Sequence, residues 1–153
     1  MSEMECNKDE ATIAKEIATR KFKEKDSLGG KKFALKAHNL FPSLEGIPQM
    51  IATLDVYISA ENKVKGEADW YGILGVNPHA DDDTIRKHYR KLALMFHPDK
   101  KKSIGSDGAF KLISEAWSIL SDKDRRAAHN EKIKVKPQKD STIFGGSFKR
   151  KDS

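Results

Sequence analysis

Cysteine and long apolar runs are both scarce in these 153 residues, and each scarcity removes a class of protein. Cys6 stands alone, so it can form neither an internal disulfide nor a cysteine-rich zinc site, and a reducing compartment, cytoplasmic or nuclear, is expected. No stretch approaches the roughly 20 apolar residues that cross a bilayer, and no basic start near Met1 leads into an apolar run. A soluble chain with no membrane partner is therefore expected. Hydrophobic residues make up 37% of the chain, which suits one ordinary domain or two small ones with modest cores and argues against a large enzyme fold. The net charge of +6 could serve nucleic acid or an acidic protein surface, but the excess falls in the tail, where cations outnumber anions two to one after Leu120.

What is present is helical periodicity. Ile13, Ile17 and Phe22 recur at helical spacing between Glu10 and Asp26, and Phe33, Ala34, Ala37 and Leu40 do so between Gly30 and Phe41. Asp26 to Gly30 reads as the turn between two helices, and Pro42 stops the second. A third stripe, Ile47, Met50, Ile51, Leu54 and Ile58, follows, with Pro48 tolerated in its first turn. Ala18, Gly30, Ala37 and Pro42 also resemble, in register, the small residues and proline of a single tetratricopeptide repeat. The aromatic positions of that motif hold Ala14 and Lys21, and one repeat cannot build the concave groove that stacked repeats make, so a packing module is expected. The organisation expected is a disordered stretch 1–9, a helical module 10–62, a linker 63–68, a second compact unit 69–132 and a disordered basic tail 133–153.

The second unit carries the chemistry. Asp69 to Val76 reads as a short helix ended by glycine, and Asn77-Pro78 as a turn. Of Asp81, Asp82 and Asp83, one caps the next helix and the others suit its dipole, a better reading than metal binding, since no further ligands are spaced to complete a site. Between Asp82 and Phe96, Ile85, Tyr89, Leu92 and Phe96 fall on one stripe. Arg86, Lys87, Arg90 and Lys91 cover the other side, with Leu94 in their midst. Pro98 in His97-Pro98-Asp99 stops the helix, and a charged loop begins at Lys100. That tripeptide would occur by chance in about one per cent of chains of this length, so its flanks decide its meaning. A helix capped by Ser106 or Asp107 then carries Phe110, Ile113, Trp117 and Leu120. It is expected antiparallel to its predecessor, with the stripes and Leu74 as core. Asp122 opens a last, basic helix to about Lys132.

Residues 69 to 130 resemble the J domain of the DnaJ family of co-chaperones. The likeness rests on Asp69-Trp70-Tyr71-Gly72-Ile73-Leu74-Gly75-Val76, on Ile85 to Leu94, on His97-Pro98-Asp99-Lys100, and on Ala109-Phe110, Glu115-Ala116-Trp117 and Leu120-Ser121-Asp122. With the helices before it, the chain is also similar to plant J proteins that carry an amino-terminal helical module. The resemblance implies an all-α fold: a four-helix J domain built on an antiparallel hairpin, preceded by a small three-helix module and followed by the tail. It implies no cofactor and a partner, a DnaK-type seventy-kilodalton heat-shock chaperone, whose ATP hydrolysis the domain stimulates. His97, Pro98, Asp99 and Lys100, the cations Arg86, Lys87, Arg90 and Lys91, and Tyr89, Leu94 and Phe110 are the residues it places at that contact. Asp99 would accept a charge-assisted bond from a partner arginine, and Pro98 would aim it. Unfolded client proteins are a further partner of such proteins, but the glycine/phenylalanine-rich linker, zinc module and client-binding domain of fuller members do not occur in these residues. Lys101, Trp117 and the pair His129-Asn130 depart from the family's usual asparagine, tyrosine and Tyr-Asp.

Two other functions compete with this one. A basic helix with a basic tail also fits a nucleic-acid-binding module, although four cations beside the Asp81–Asp83 run make a poor phosphate footprint. An enzyme is not expected: no glycine-rich phosphate loop precedes a helix, and His97 and Asp99 lack a nucleophile, metal or second base to assemble a site.

Overall fold

In a computed structural model of the chain, residues 3–97 and 104–135 are described, and every element among them is helical: α1 (Glu3–Lys23), α2 (Ser27–Leu40), α3 (Ile47–Glu61), α4 (Trp70–Leu74), α5 (Asp82–Phe96), α6 (Ser106–Leu120) and α7 (Lys123–Ile133).

The first helix differs from expectation at both ends and in the face it buries. It begins at Glu3, not near Glu10, so residues 3–9 are helix and not a disordered lead. Once Ala11 and Ala14 are packed, each further helical turn costs little, and acidic residues at the amino-terminal end suit the helix dipole. The inward face is alanine, with Ala11, Ala14 and Ala18 buried, whereas Ile13 is 55% exposed. Small side chains let α1 and α2 approach closely: a Cβ on Gly30 would stand 3.0 Å from Leu54 Cδ2 and 3.3 Å from the Ala18 carbonyl. Asp26 does not end α1. Its carboxylate caps α2 by accepting from the Gly29 amide at 2.9 Å, which places Gly29 and Gly30 inside the helix.

The helix α3 is buried on two sides. Ile47, Met50 and Leu54 face α1 and α2, while Val56 belongs to the same buried cluster as Tyr71, Leu74, Ile85, Phe96 and Ile113. Through α3 the amino-terminal module therefore contributes to the core of the second unit. Residues 63–68 are no free spacer either: Val64 and Glu67 pair across a tight turn, and Glu67 receives Lys132 of α7 at 2.9 Å.

In the second unit, Asp69 caps α4 through the Gly72 amide at 3.0 Å, and Gly75, at φ 72°, ends it. Asp81 caps α5, accepting from the Thr84 amide at 2.8 Å. Bonds to Thr84 hold the Asp81 carboxyl below its ordinary range. The hairpin of α5 and α6 is antiparallel, with His97 beside Phe110 at one end, Tyr89 stacked on Trp117 at 4.8 Å, and Ile85 near Leu120 at the other. Neither Ser106 nor Asp107 caps α6. The cap position is Gly105 at φ 78°, and Ser106 is buried. At the other end α7 runs to Ile133, which packs on the core, and residues 136–153 of the expected tail lie outside the described residues.

Candidate functional site

The outer face of α5 presents what its sequence promises. Arg86, Lys87, Arg90, Lys91 and Leu94 are all exposed on one helix, the leucine at 65%. The reason is local: Ile85 and Phe96 are buried and Leu92 is half-buried, and that stripe turns the remaining positions outward. Lys87 pairs with Asp83 one turn earlier at 3.1 Å, so part of its field is spent within the helix. An apolar side chain ringed by long cations is a surface suited to an acidic partner with a small apolar recess.

His97 ends α5 with extended backbone, φ −56° and ψ 138°, and its exposed ring stands edge-on to Phe110 at 6.3 Å. Pro98, Asp99 and Lys100 lie outside the described residues. Two residues expected at the contact are engaged inside the domain. Tyr89 is half-buried in the stack on Trp117, and Phe110 is half-buried against the core and beside His97. The tryptophan at 117 fills that stack with parallel rings, 8° apart.

A polar knot that periodicity did not disclose holds α7 to the root of this hairpin. Arg126 donates to the Ala80 carbonyl at 2.6 Å, the Pro78 carbonyl at 3.2 Å, Asp82 at 3.1 Å and the Tyr71 hydroxyl at 3.0 Å. The Tyr71 hydroxyl in turn donates to Asn130 Oδ1. Asn130 thus fills its place in the helix with a short acceptor. His129 is buried against Tyr71, and burial pushes its pKa down by more than Glu67 and Asp69 pull it up. The imidazole is neutral at pH 7, so the 3.8 Å approach to Glu67 is not an ion pair. The one advance sign of this knot was an arginine one turn into a helix opened by Asp122.

No group of His, Cys, Asp and Glu among the described residues could hold a metal ion, and no described helix is long and apolar enough to cross a membrane. Residues 69–130 match the family described as the DnaJ domain. The chain is 47% identical over 81 residues to "Chaperone protein DnaJ" of Staphylococcus epidermidis, covering 52% of this chain and 22% of that one. It is 43% identical over 74 residues to "DnaJ homolog subfamily B member 12" of Mus musculus, covering 48% and 20%. It is 55% identical over 58 residues to "DnaJ protein homolog 1" of Drosophila melanogaster, covering 38% and 17%. The chain thus spans about a fifth of the length of the curated relatives it matches.

Proposed function

Because the chain carries a J domain of the DnaJ family over residues 69–130, we propose that it is a co-chaperone that docks on a DnaK-type seventy-kilodalton heat-shock chaperone and stimulates that partner's ATP hydrolysis. The observation that carries this reading is the exposed face of α5, four cations around Leu94, on the helix that leads directly into His97-Pro98-Asp99. On this reading the hydrolysis is the partner's. The chain lacks a phosphate loop, and its contribution is a difference in affinity between two states of the partner, which is all an allosteric effector needs. Cations at the surface steer encounter over about a Debye length, near 8–10 Å at physiological salt, so association is fast and salt-sensitive. The lone apolar contact at Leu94 supports a weak, quickly exchanging complex.

The test is the steady-state ATPase rate of a DnaK-type chaperone titrated with the full chain. The rate is expected to rise to a plateau, and His97→Gln and Asp99→Asn are expected to abolish the rise while the circular dichroism spectrum is unchanged. No stimulation by the wild-type chain overturns the reading. Tight duplex-DNA binding indifferent to both substitutions would place the protein with nucleic-acid binders instead.

A further inference from the structure

The last turn of α5 and the start of α6 are both gripped from outside residues 69–130. At the first end, Gln49 of α3 donates its side-chain amide to the Met95 carbonyl at 3.0 Å. Met95 lies in the last turn of α5, where carbonyls have lost their partners within the helix, so Gln49 caps α5 from a different element. At the second end, Tyr57 of the same α3 donates to the Gly105 carbonyl at 3.0 Å. Phe22 of α1 backs that tyrosine edge-on at 4.9 Å, and Ile104 is seated among Ala18, Phe22, Met50 and Leu54.

Two glycines make this seat. A Cβ on Gly105 would fall 2.7 Å from Phe22 Cζ and 3.1 Å from Thr53 Cγ2, and one on Gly108 would fall 2.0 Å from the Tyr57 hydroxyl oxygen. Gly105 also answers to its own backbone at φ 78°, but Gly108 lies within α6, where the hairpin as such does not ask for glycine, and each leaves room for a side chain of the preceding module. Gln49 and Tyr57 are about 12 Å apart along α3 at about 1.5 Å per residue. The helix therefore lies as a crossbar between the two stems.

We propose that α3, backed by α1, is a brace for the facing ends of α5 and α6, with Gln49, Tyr57 and Phe22 as positioning residues that set the spacing and tilt of the α5 end that carries His97. The proposal rests on the co-chaperone reading and deepens it. Helix ends fixed before encounter lose less freedom on docking, so the brace acts on the concentration needed for stimulation. Met95 and Gly105 are joined to α3 through hydrogen bonds that a change of one atom removes, and this makes the role separable from folding.

The experiment uses the full chain. Gln49→Glu keeps the shape of the side chain and removes its donor, and Tyr57→Phe keeps the ring and removes the hydroxyl. In the double variant the half-saturating concentration for ATPase stimulation is expected to rise about three- to tenfold, the scale set by losing one to two net hydrogen bonds. Hydrogen exchange should accelerate in peptides covering 90–97 and 104–112 and stay unchanged in α7. Gln49→Lys, which restores a donor, should recover most of the single Gln49 effect. Ala37→Gly, which loosens the buried α1–α2 contact away from the stems, should lower the melting temperature without moving the half-saturating concentration. The brace is overturned if the double variant titrates like the wild type, if it stimulates better, if the lysine gives no recovery, or if Ala37→Gly shifts the titration equally. A wild-type chain that leaves the ATPase rate unchanged overturns the co-chaperone reading itself, and the brace with it.

Discussion

Gly108→Ala is the substitution for which helix propensity and tertiary packing give opposite signs. Within α6, alanine in place of glycine is worth about 0.5–1 kcal/mol in favour of folding, because the unfolded chain loses freedom and the helix gains a better former. Against this stands the Tyr57 hydroxyl, which would sit 2.0 Å from the new Cβ and must retreat by more than an ångström. Retreat breaks its bond to the Gly105 carbonyl, about 0.5–1.5 kcal/mol. It also spoils the edge contact with Phe22, about 0.5–1.5 kcal/mol more. The Gly105 carbonyl is not orphaned, since it still accepts from the Ala109 amide at 2.9 Å, so no desolvation penalty is added. Net destabilisation of about 1 kcal/mol, within bounds of about 0–2.5 kcal/mol, is expected, or a fall of a few degrees in melting temperature for a chain of this size. In a Tyr57→Phe background the nearest ring atom to the new Cβ is Cζ at 3.1 Å, a contact relieved by a few tenths of an ångström. There the same alanine should be neutral or stabilising. Urea unfolding of the four proteins of this double-mutant cycle, followed by circular dichroism, measures the coupling. Coupling within about 0.5 kcal/mol of zero, or an alanine that stabilises both backgrounds equally, would refute the packing account.

Arg126→Ala removes a guanidinium that is 16% exposed and donates to four oxygens, and should cost about 2–4 kcal/mol in urea unfolding. Arg126→Lys should recover little of it, because an ammonium cannot fork to the Ala80 carbonyl and Tyr71 together. His129 supplies a pH dependence. Its folded pKa lies below the ordinary 6.5, so the unfolded chain takes up the proton first as pH falls. Stability should be level above about pH 6.5 and decline below it. In His129→Phe, thermal melts from pH 8 to 5 should lose this component, and an unchanged slope would show that the imidazole is not its source. Leu94→Ala should change stability by less than about 0.5 kcal/mol, since the side chain is exposed, yet raise the half-saturating concentration for ATPase stimulation roughly fivefold or more. An unchanged titration would remove Leu94 from the contact.

The amino-acid sequence by itself determined the J domain and its outer face. Ile85 and Phe96 are large, apolar and spaced by whole turns, so Arg86, Lys87, Arg90, Lys91 and Leu94 are driven to the surface whatever surrounds the helix. A cap among Asp81, Asp82 and Asp83, and the opening of the last helix at Asp122, were legible for the same reason, each acting within three residues of itself. Only the tertiary structure decided what α1 and α3 do. An alanine face carries little periodic signal, so Ile13 and Ile17 drew the eye while Ala11, Ala14 and Ala18 make the contact. The stripe from Ile47 to Ile58 marks only one face of α3, whereas Val56, outside that stripe, joins the helix to a second core. Gln49 and Tyr57 act on Met95 and Gly105, partners 46 and 48 residues away, and no local rule connects residues at that separation. Gly108 was the faint mark they left, a glycine inside a helix, the form a close approach takes when its other half lies far along the chain.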